Sequence, residues 1–217
     1  MTRVHPLTSQ IKDYAWGSRH AIAELRGEPA PSARPQAEMW IGAHPASPSR
    51  LAVDGVETGL DAWIGTDPSR ILGPEVAARF GGELPFLLKV LAAERPLSIQ
   101  AHPDAARARA GFARENALGI PLDHPSRCYR DPNHKPELLC ALGPFVALAG
   151  FRPAGEARSL AGAIGVPDLL APPAGGAGGD RYARDMLERL LVMDAARRAE
   201  IVGAAPGAAG GRPEAAP

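Results

Sequence analysis

Through the first 150 residues no apolar run goes far before a glycine or proline interrupts it. With 24 Gly and 23 Pro among 217 residues, long elements are excluded over most of the chain, and short strands joined by turns remain. Val4–Leu7 and Gln10–Tyr14 read as a hairpin. Glu38–Gly42 and Arg50–Val53 flank the turn HPASPS, Phe86–Leu91 and Leu97–Ala101 flank Ala93–Pro96, and Leu138–Leu142 and Phe145–Phe151 flank Gly143-Pro144. The last two read as buried strands. Many short strands of this kind point to a sandwich or barrel. Short helices are expected at His20–Arg26, Pro74–Phe80 and Ala105–Leu118, the last opened by Asp104 as N-cap.

After Arg152 the pattern turns helical. Glu156–Ile164 ends at Gly165, and Arg181–Ile201 puts Tyr182, Met186, Leu187, Leu190 and Leu191 on one stripe. PPAGGAGG between them reads as a linker. From Gly203 onward 13 of the last 15 residues are Gly, Ala or Pro, too little apolar surface to order a segment. An incomplete set of strands leaves open edges, so the chain reads as one that stops early.

Charge narrows the partners. Lys plus Arg number 24 and Asp plus Glu 24, so no general field recruits nucleic acid or a membrane surface. An anionic ligand must be met by a few placed cations. The two cysteines, Cys128 and Cys140, form no C-x-x-C pair and no disulfide framework, so a reducing cytoplasm is expected. The N-terminus has no signal-peptide pattern. The longest uncharged run, the 14 residues Leu138–Phe151, falls short of the roughly 20 that span a bilayer.

Two segments carry chemistry. In Leu97-Ser98-Ile99-Gln100-Ala101-His102-Pro103-Asp104, a strand would put Ser98, Gln100 and His102 on one face, two of them arms of a metal site. Taken alone, a polar strand face with a hydrogen-bonded His is the stronger reading, because Gln is an unusual zinc ligand. In Asp131-Pro132-Asn133-His134-Lys135-Pro136-Glu137, Glu137 stands just before the apolar run LLCAL. A carboxylate at the mouth of a core strand needs a partner, and a metal ion is one. Lys135 could share that face or hold an anion such as phosphate.

Taken in order, YAWGS (14–18), AEMWIGAHPASPS (37–49), LPFLLKVL (84–91), LSIQAHPD (97–104), NHKPEL (133–138) and GFRP (150–153) resemble type I mannose-6-phosphate isomerase, collinearly over roughly residues 5–153. The resemblance implies that Gln100, His102 and Glu137 bind one Zn2+, which reverses the reading of Gln100 taken alone. It implies an α+β fold: an incomplete cupin-like β-sandwich with an inserted helical segment. Residues 1–153 would be the N-terminal part of the cupin-like catalytic domain, 154–202 a partial helical insertion and 203–217 a disordered tail. The family's fourth zinc ligand, a His, and a catalytic Arg belong to a later half without a counterpart in these residues.

The implied reaction interconverts mannose 6-phosphate and fructose 6-phosphate, feeding GDP-mannose synthesis and carbohydrate metabolism. A proton moves between C2 and C1 through an enediol, and a Lewis-acidic metal stabilises the developing oxyanion. Ser98, Lys89 and Lys135 are candidates for the phosphate. His134 is a candidate for proton relay or ring opening. Trp16, Trp40 and Glu38 would line or brace the cleft, and His44 lies inside a family-like segment. The expected partner is a small sugar phosphate, bound by a cytoplasmic monomer, with neither nucleic acid nor membrane. The alternative is a non-catalytic metal- or sugar-binding cupin-like remnant.

Overall fold

The computed structural model describes residues 4–97, 99–166 and 179–209. They form two compact units divided after Lys135. The first runs β1 (Gln10–Lys12), α1 (Ala21–Leu25), β2 (Glu38–Ile41), β3 (Arg50–Val53), β4 (Val56–Gly59), α2 (Leu60–Thr66), α3 (Pro68–Leu72), α4 (Pro74–Arg79), β5 (Leu88–Leu91) and α5 (Ala105–Ala117). The second holds α6 (Ala154–Ala163), α7 (Gly179–Val192) and α8 (Ala195–Ala209).

Strand β2 is the centre of a three-stranded antiparallel sheet, with β1 on one edge and β5 on the other. Its register sets the chemistry of each face. Lys12 pairs with Glu38, and Glu38 with Leu91; Gln10 pairs with Trp40, and Trp40 with Lys89. Cross-strand partners share a face and alternate residues share it too. One face therefore carries Gln10, Lys12, Glu38, Trp40, Lys89 and Leu91, and the other Ile11, Met39, Ile41, Leu88 and Val90. Helix α1 contributes Ile22 and Ala23, both 0% exposed, and Ala37 beside β2 is equally buried.

The segment from Tyr14 to Ser18 is woven between two neighbours. Ser18 N donates to Ala92 O at 2.8 Å, Gln36 N to Ser18 O at 2.8 Å and Ala92 N to Ala37 O at 2.9 Å. Gly17 bridges to Ala93, and a Cβ on it would lie 2.5 Å from Ala37 Cα, so only glycine fits there.

Strands β3 and β4 form a hairpin in a second sheet. Asp54 (φ 48°) and Gly55 (φ 84°) both take positive φ, the tight two-residue turn that an Asp-Gly pair favours. Neither β4 nor helices α2 and α3 were expected from the sequence, although Asp54-Gly55 is the standard signal for the hairpin. Asp67 caps α3, accepting from Arg70 N at 3.1 Å. Asp104 caps α5 as expected, accepting from Arg107 N at 2.8 Å.

Several strand expectations fail. Residues 4–7 do not pair with β1, whose partner is β2; the neighbouring Thr8 instead bridges to Arg50. The described residues of 97–101 form no strand, and neither do 138–142 or 145–151. Leu138 is 97% exposed and Leu142 84%, so that run is not the buried pair of strands its composition suggested. Apolar composition does not make a strand without a hydrogen-bonding neighbour, and among the described residues none pairs with these. Two small sheets with eight described helices make a mixed α and β structure.

In the second unit Tyr182 of α7 is 3% exposed, with the Arg158 guanidinium of α6 5.4 Å from its ring centroid. The single helix expected over Arg181–Ile201 is broken at Met193-Asp194, because Asp194 starts a new one by accepting from Arg197 N at 2.8 Å. Helix α8 extends to Ala209, past the expected start of the tail at Gly203, and residues 210–217 lie outside the described ones. Among the described residues no helix is long and apolar enough to cross a membrane.

Candidate functional site

The polar face of the β1–β2–β5 sheet is built around Trp40. Its Nε1–H donates to Glu38 Oε2 at 2.6 Å, between neighbours two apart on β2. Glu38 is 8% exposed, and Lys89 Nζ lies 3.6 Å from the same oxygen. Two ammonium groups reach the indole from the flanking strands: Lys12 Nζ stands 4.5 Å from the ring centroid and Lys89 Nζ 4.9 Å. The His44 ring meets Trp40 edge-on at 5.0 Å between centroids.

His44 follows β2 in a loop closed by Ser49. Ser49 is 0% exposed; its hydroxyl accepts from Gly42 N at 3.0 Å and donates to Trp40 O at 3.3 Å. Within the loop, His44 Nδ1 accepts from Ala46 N at 3.1 Å. That bond leaves Nε2 to carry the proton of the neutral ring. Burial pushes the His44 pKa below its ordinary 6.5. Asp131 opposes the shift, while Lys89, Lys135 and Lys12 add to it.

The loop after α5 delivers Lys135. Its anchor is a buried ion pair: Arg127, 4% exposed, lies 3.1 Å from Glu115 Oε2 on α5, and Glu115 is 6% exposed. Glu115 also accepts from Tyr129 N at 2.8 Å and Cys128 N at 3.2 Å, and these backbone bonds, Tyr129 first, hold its carboxyl below the usual carboxylate range. Arg127 donates to Tyr129 O and to Asn116 Oδ1, both at 2.6 Å. Beyond this clamp Asp131 Oδ2 accepts from Lys135 Nζ at 2.8 Å, and Asp131 Oδ1 from Asn133 N at 2.9 Å.

Of the residues expected from sequence, Glu38 and Lys89 meet directly, and Lys135 acts on the same His44. Trp16 is half-buried, with its ring stacked on Tyr14 at 5.7 Å, and its carbonyl accepts from Glu94 N at 2.9 Å. It thereby braces the turn leading to residues 97–104. Burial and the Glu38 charge raise the Tyr14 pKa above 10.0. Gln100, His102, His134 and Glu137 are exposed, and Ser98 lies outside the described residues. With no strand among the described residues of 97–101, the shared-face argument for Gln100 and His102 no longer holds, and their pairing rests on the motif alone. Among the described residues no three His, Cys, Asp or Glu gather as a metal cluster; of the three expected ligands, only His102 and Glu137 are of those types. Lys12 and Asp131 were absent from the expected site, and His44 was singled out only for lying inside a family-like segment. The strand register alone puts Lys12 beside Trp40.

The model of the phosphomannose isomerase type I catalytic domain matches residues 4–154. The chain belongs to the type I phosphomannose isomerase family. It is 52% identical over 155 residues to the mannose-6-phosphate isomerase of Escherichia coli K12, covering 71% of this chain and 39% of that protein. Against the human enzyme of the same name it is 40% identical over 163 residues, covering 71% and 36%. Among solved structures it resembles the Salmonella typhimurium mannose 6-phosphate isomerase bound to fructose 6-phosphate and zinc, with a TM-score of 0.81 and 39% identity, over 96% of this chain and 53% of that one. A zinc-bound holo mannose 6-phosphate isomerase aligns with a TM-score of 0.82 at 39% identity over the same shares. The chain thus spans about two fifths of the length of its curated relatives and about half that of the solved ones.

Proposed function

We propose that this chain carries the phosphate-binding and most of the metal-binding residues of a zinc-dependent isomerase that interconverts mannose 6-phosphate and fructose 6-phosphate. The likeness to an isomerase solved with both fructose 6-phosphate and zinc carries the reading. The family match over residues 4–154 supports reading residues 1–153 as part of a cupin-like β-sandwich domain.

Gln100, His102 and Glu137 are the proposed ligands of one Zn2+. Their donors, an amide oxygen, an imidazole nitrogen and a carboxylate oxygen, suit that ion, and three protein ligands leave a position open, as at catalytic rather than structural sites. Both cysteines lie outside the two motifs, so no thiolate quenches the charge. When bound, the metal supplies Lewis acidity toward the carbonyl oxygen next to the migrating proton. The remaining work falls to the protein's own groups. Lys89 and Lys135 hold the phosphoryl group with Ser98. Glu38 holds Lys89 and Trp40 in place. Trp16 braces the approach to Gln100. His134 relays a proton during ring opening.

A coupled assay following fructose 6-phosphate formation from mannose 6-phosphate tests the proposal. In a protein that also supplies the family's remaining His and Arg, the expected result is zinc-dependent turnover lost in His102→Ala and lowered at least about a hundredfold in Lys135→Ala, whereas these 217 residues by themselves are expected to turn over little or no substrate. Sugar phosphate binding without turnover by the zinc-loaded protein would favour the binding-only alternative. Turnover that survives chelation and the His102→Ala change would overturn the metal assignment.

A further inference from the structure

The polar sheet face holds more positive charge than its own carboxylates match. Three ammonium groups, Lys12, Lys89 and Lys135, bear on His44, facing Glu38 and Asp131. Glu38 Oε2 lies 3.6 Å from Lys89 Nζ, and Asp131 Oδ2 lies 2.8 Å from Lys135 Nζ. Lys12 is within ion-pair distance of no carboxylate among the described residues. Its ammonium rests over the Trp40 ring at 4.5 Å, a contact that spends none of its three N–H donors on an acceptor.

We propose that Lys12 is a phosphoryl contact, completing with Lys89 an anion seat that straddles the Trp40 indole. Strands β1 and β5 pair on opposite edges of β2, so the two lysines approach the ring from opposite neighbours. The indole is fixed by its 2.6 Å bond to the buried Glu38, which sets the ring before any ligand arrives. Like charges on one face repel until an anion stands between them, and a dianionic phosphoryl group offers several oxygens to the ammonium donors. Lys12 is half-buried. Lys12 would thus raise affinity for the charged end of the substrate and leave the sugar end untouched. The assignment rests on the sugar-phosphate reading of the same site.

Calorimetric titration of the full chain with fructose 6-phosphate, inorganic phosphate and neutral fructose tests it. In Lys12→Gln the dissociation constants for fructose 6-phosphate and inorganic phosphate should both rise about tenfold, with fructose unaffected and the far-ultraviolet spectrum unchanged. The loss should shrink as salt is added. Lys12→Arg should recover much of it, and Arg50→Gln, at an exposed position on β3, should cost nothing. Unchanged binding of both phosphate ligands in Lys12→Gln, equal weakening for fructose, or no phosphate binding by the unaltered chain would each overturn the proposal. Lys12-dependent binding of inorganic phosphate with no preference for fructose 6-phosphate would uphold the anion seat and defeat the isomerase reading instead.

Discussion

The Glu38 carboxylate serves two partners on the sheet face, the Trp40 indole N–H at 2.6 Å and the Lys89 ammonium at 3.6 Å. His44, edge-on to that indole, reports the result. Its folded pKa lies below the unfolded value, so between the two the unfolded chain binds more protons. The neutral ring therefore contributes stability that is fully present above about pH 6.5 and is lost as pH falls through the folded pKa. An NMR titration of the His44 ring should give a midpoint below 6.5. A midpoint above it would mean that Asp131 outweighs burial and the three lysines. Glu38 and Lys89 were legible in the sequence because they sit in family-like segments. Lys12 was not, because its neighbours depend on strand register, and β1 pairs with β2 rather than with residues 4–7.

At the scale of elements, two glycines make the site possible. Gly17 admits the close crossing of the Tyr14–Ser18 segment over Ala37, and Gly111 on α5 admits the Tyr129 ring, which a Cβ would meet at 2.5 Å. Overpacking of this kind costs about 1–3 kcal/mol. Gly17→Ala and Gly111→Ala should each lower the urea midpoint, and Gly111→Ala should also shift the Tyr129 ring resonances. A midpoint equal to that of the unaltered chain in both would contradict the packing described. Removing Glu115 leaves Arg127 buried without its carboxylate and frees the backbone of Cys128 and Tyr129, so Glu115→Ala should lower the thermal midpoint more than Glu57→Ala, whose partner Arg50 is exposed. The order reversed would contradict the clamp. Helices were read well where caps announce them, as at Asp104. Strands were read well only where a partner exists. Segments 97–101, 138–142 and 145–151 carry the composition of strands, but their described residues have no strand partner among the described residues, and exposure of Leu138 and Leu142 is the consequence.

At the scale of the molecule, the family was legible because six ordered segments carry it, whereas the arrangement of elements was not. The mixture of helices and strands was readable; the two-stranded sheet, the helices α2 and α3 and the break at Asp194 follow from turn and cap chemistry that periodicity overlooks. Gln100, His102 and Glu137 are proposed to share one metal, joined by their motifs rather than by a strand face. Metal analysis after dialysis against a mild chelator tests it most directly. At most one zinc per chain is expected, lost in His102→Ala and in the double variant Gln100→Ala with Glu137→Ala. Zinc retained at one per chain in that double variant would contradict it.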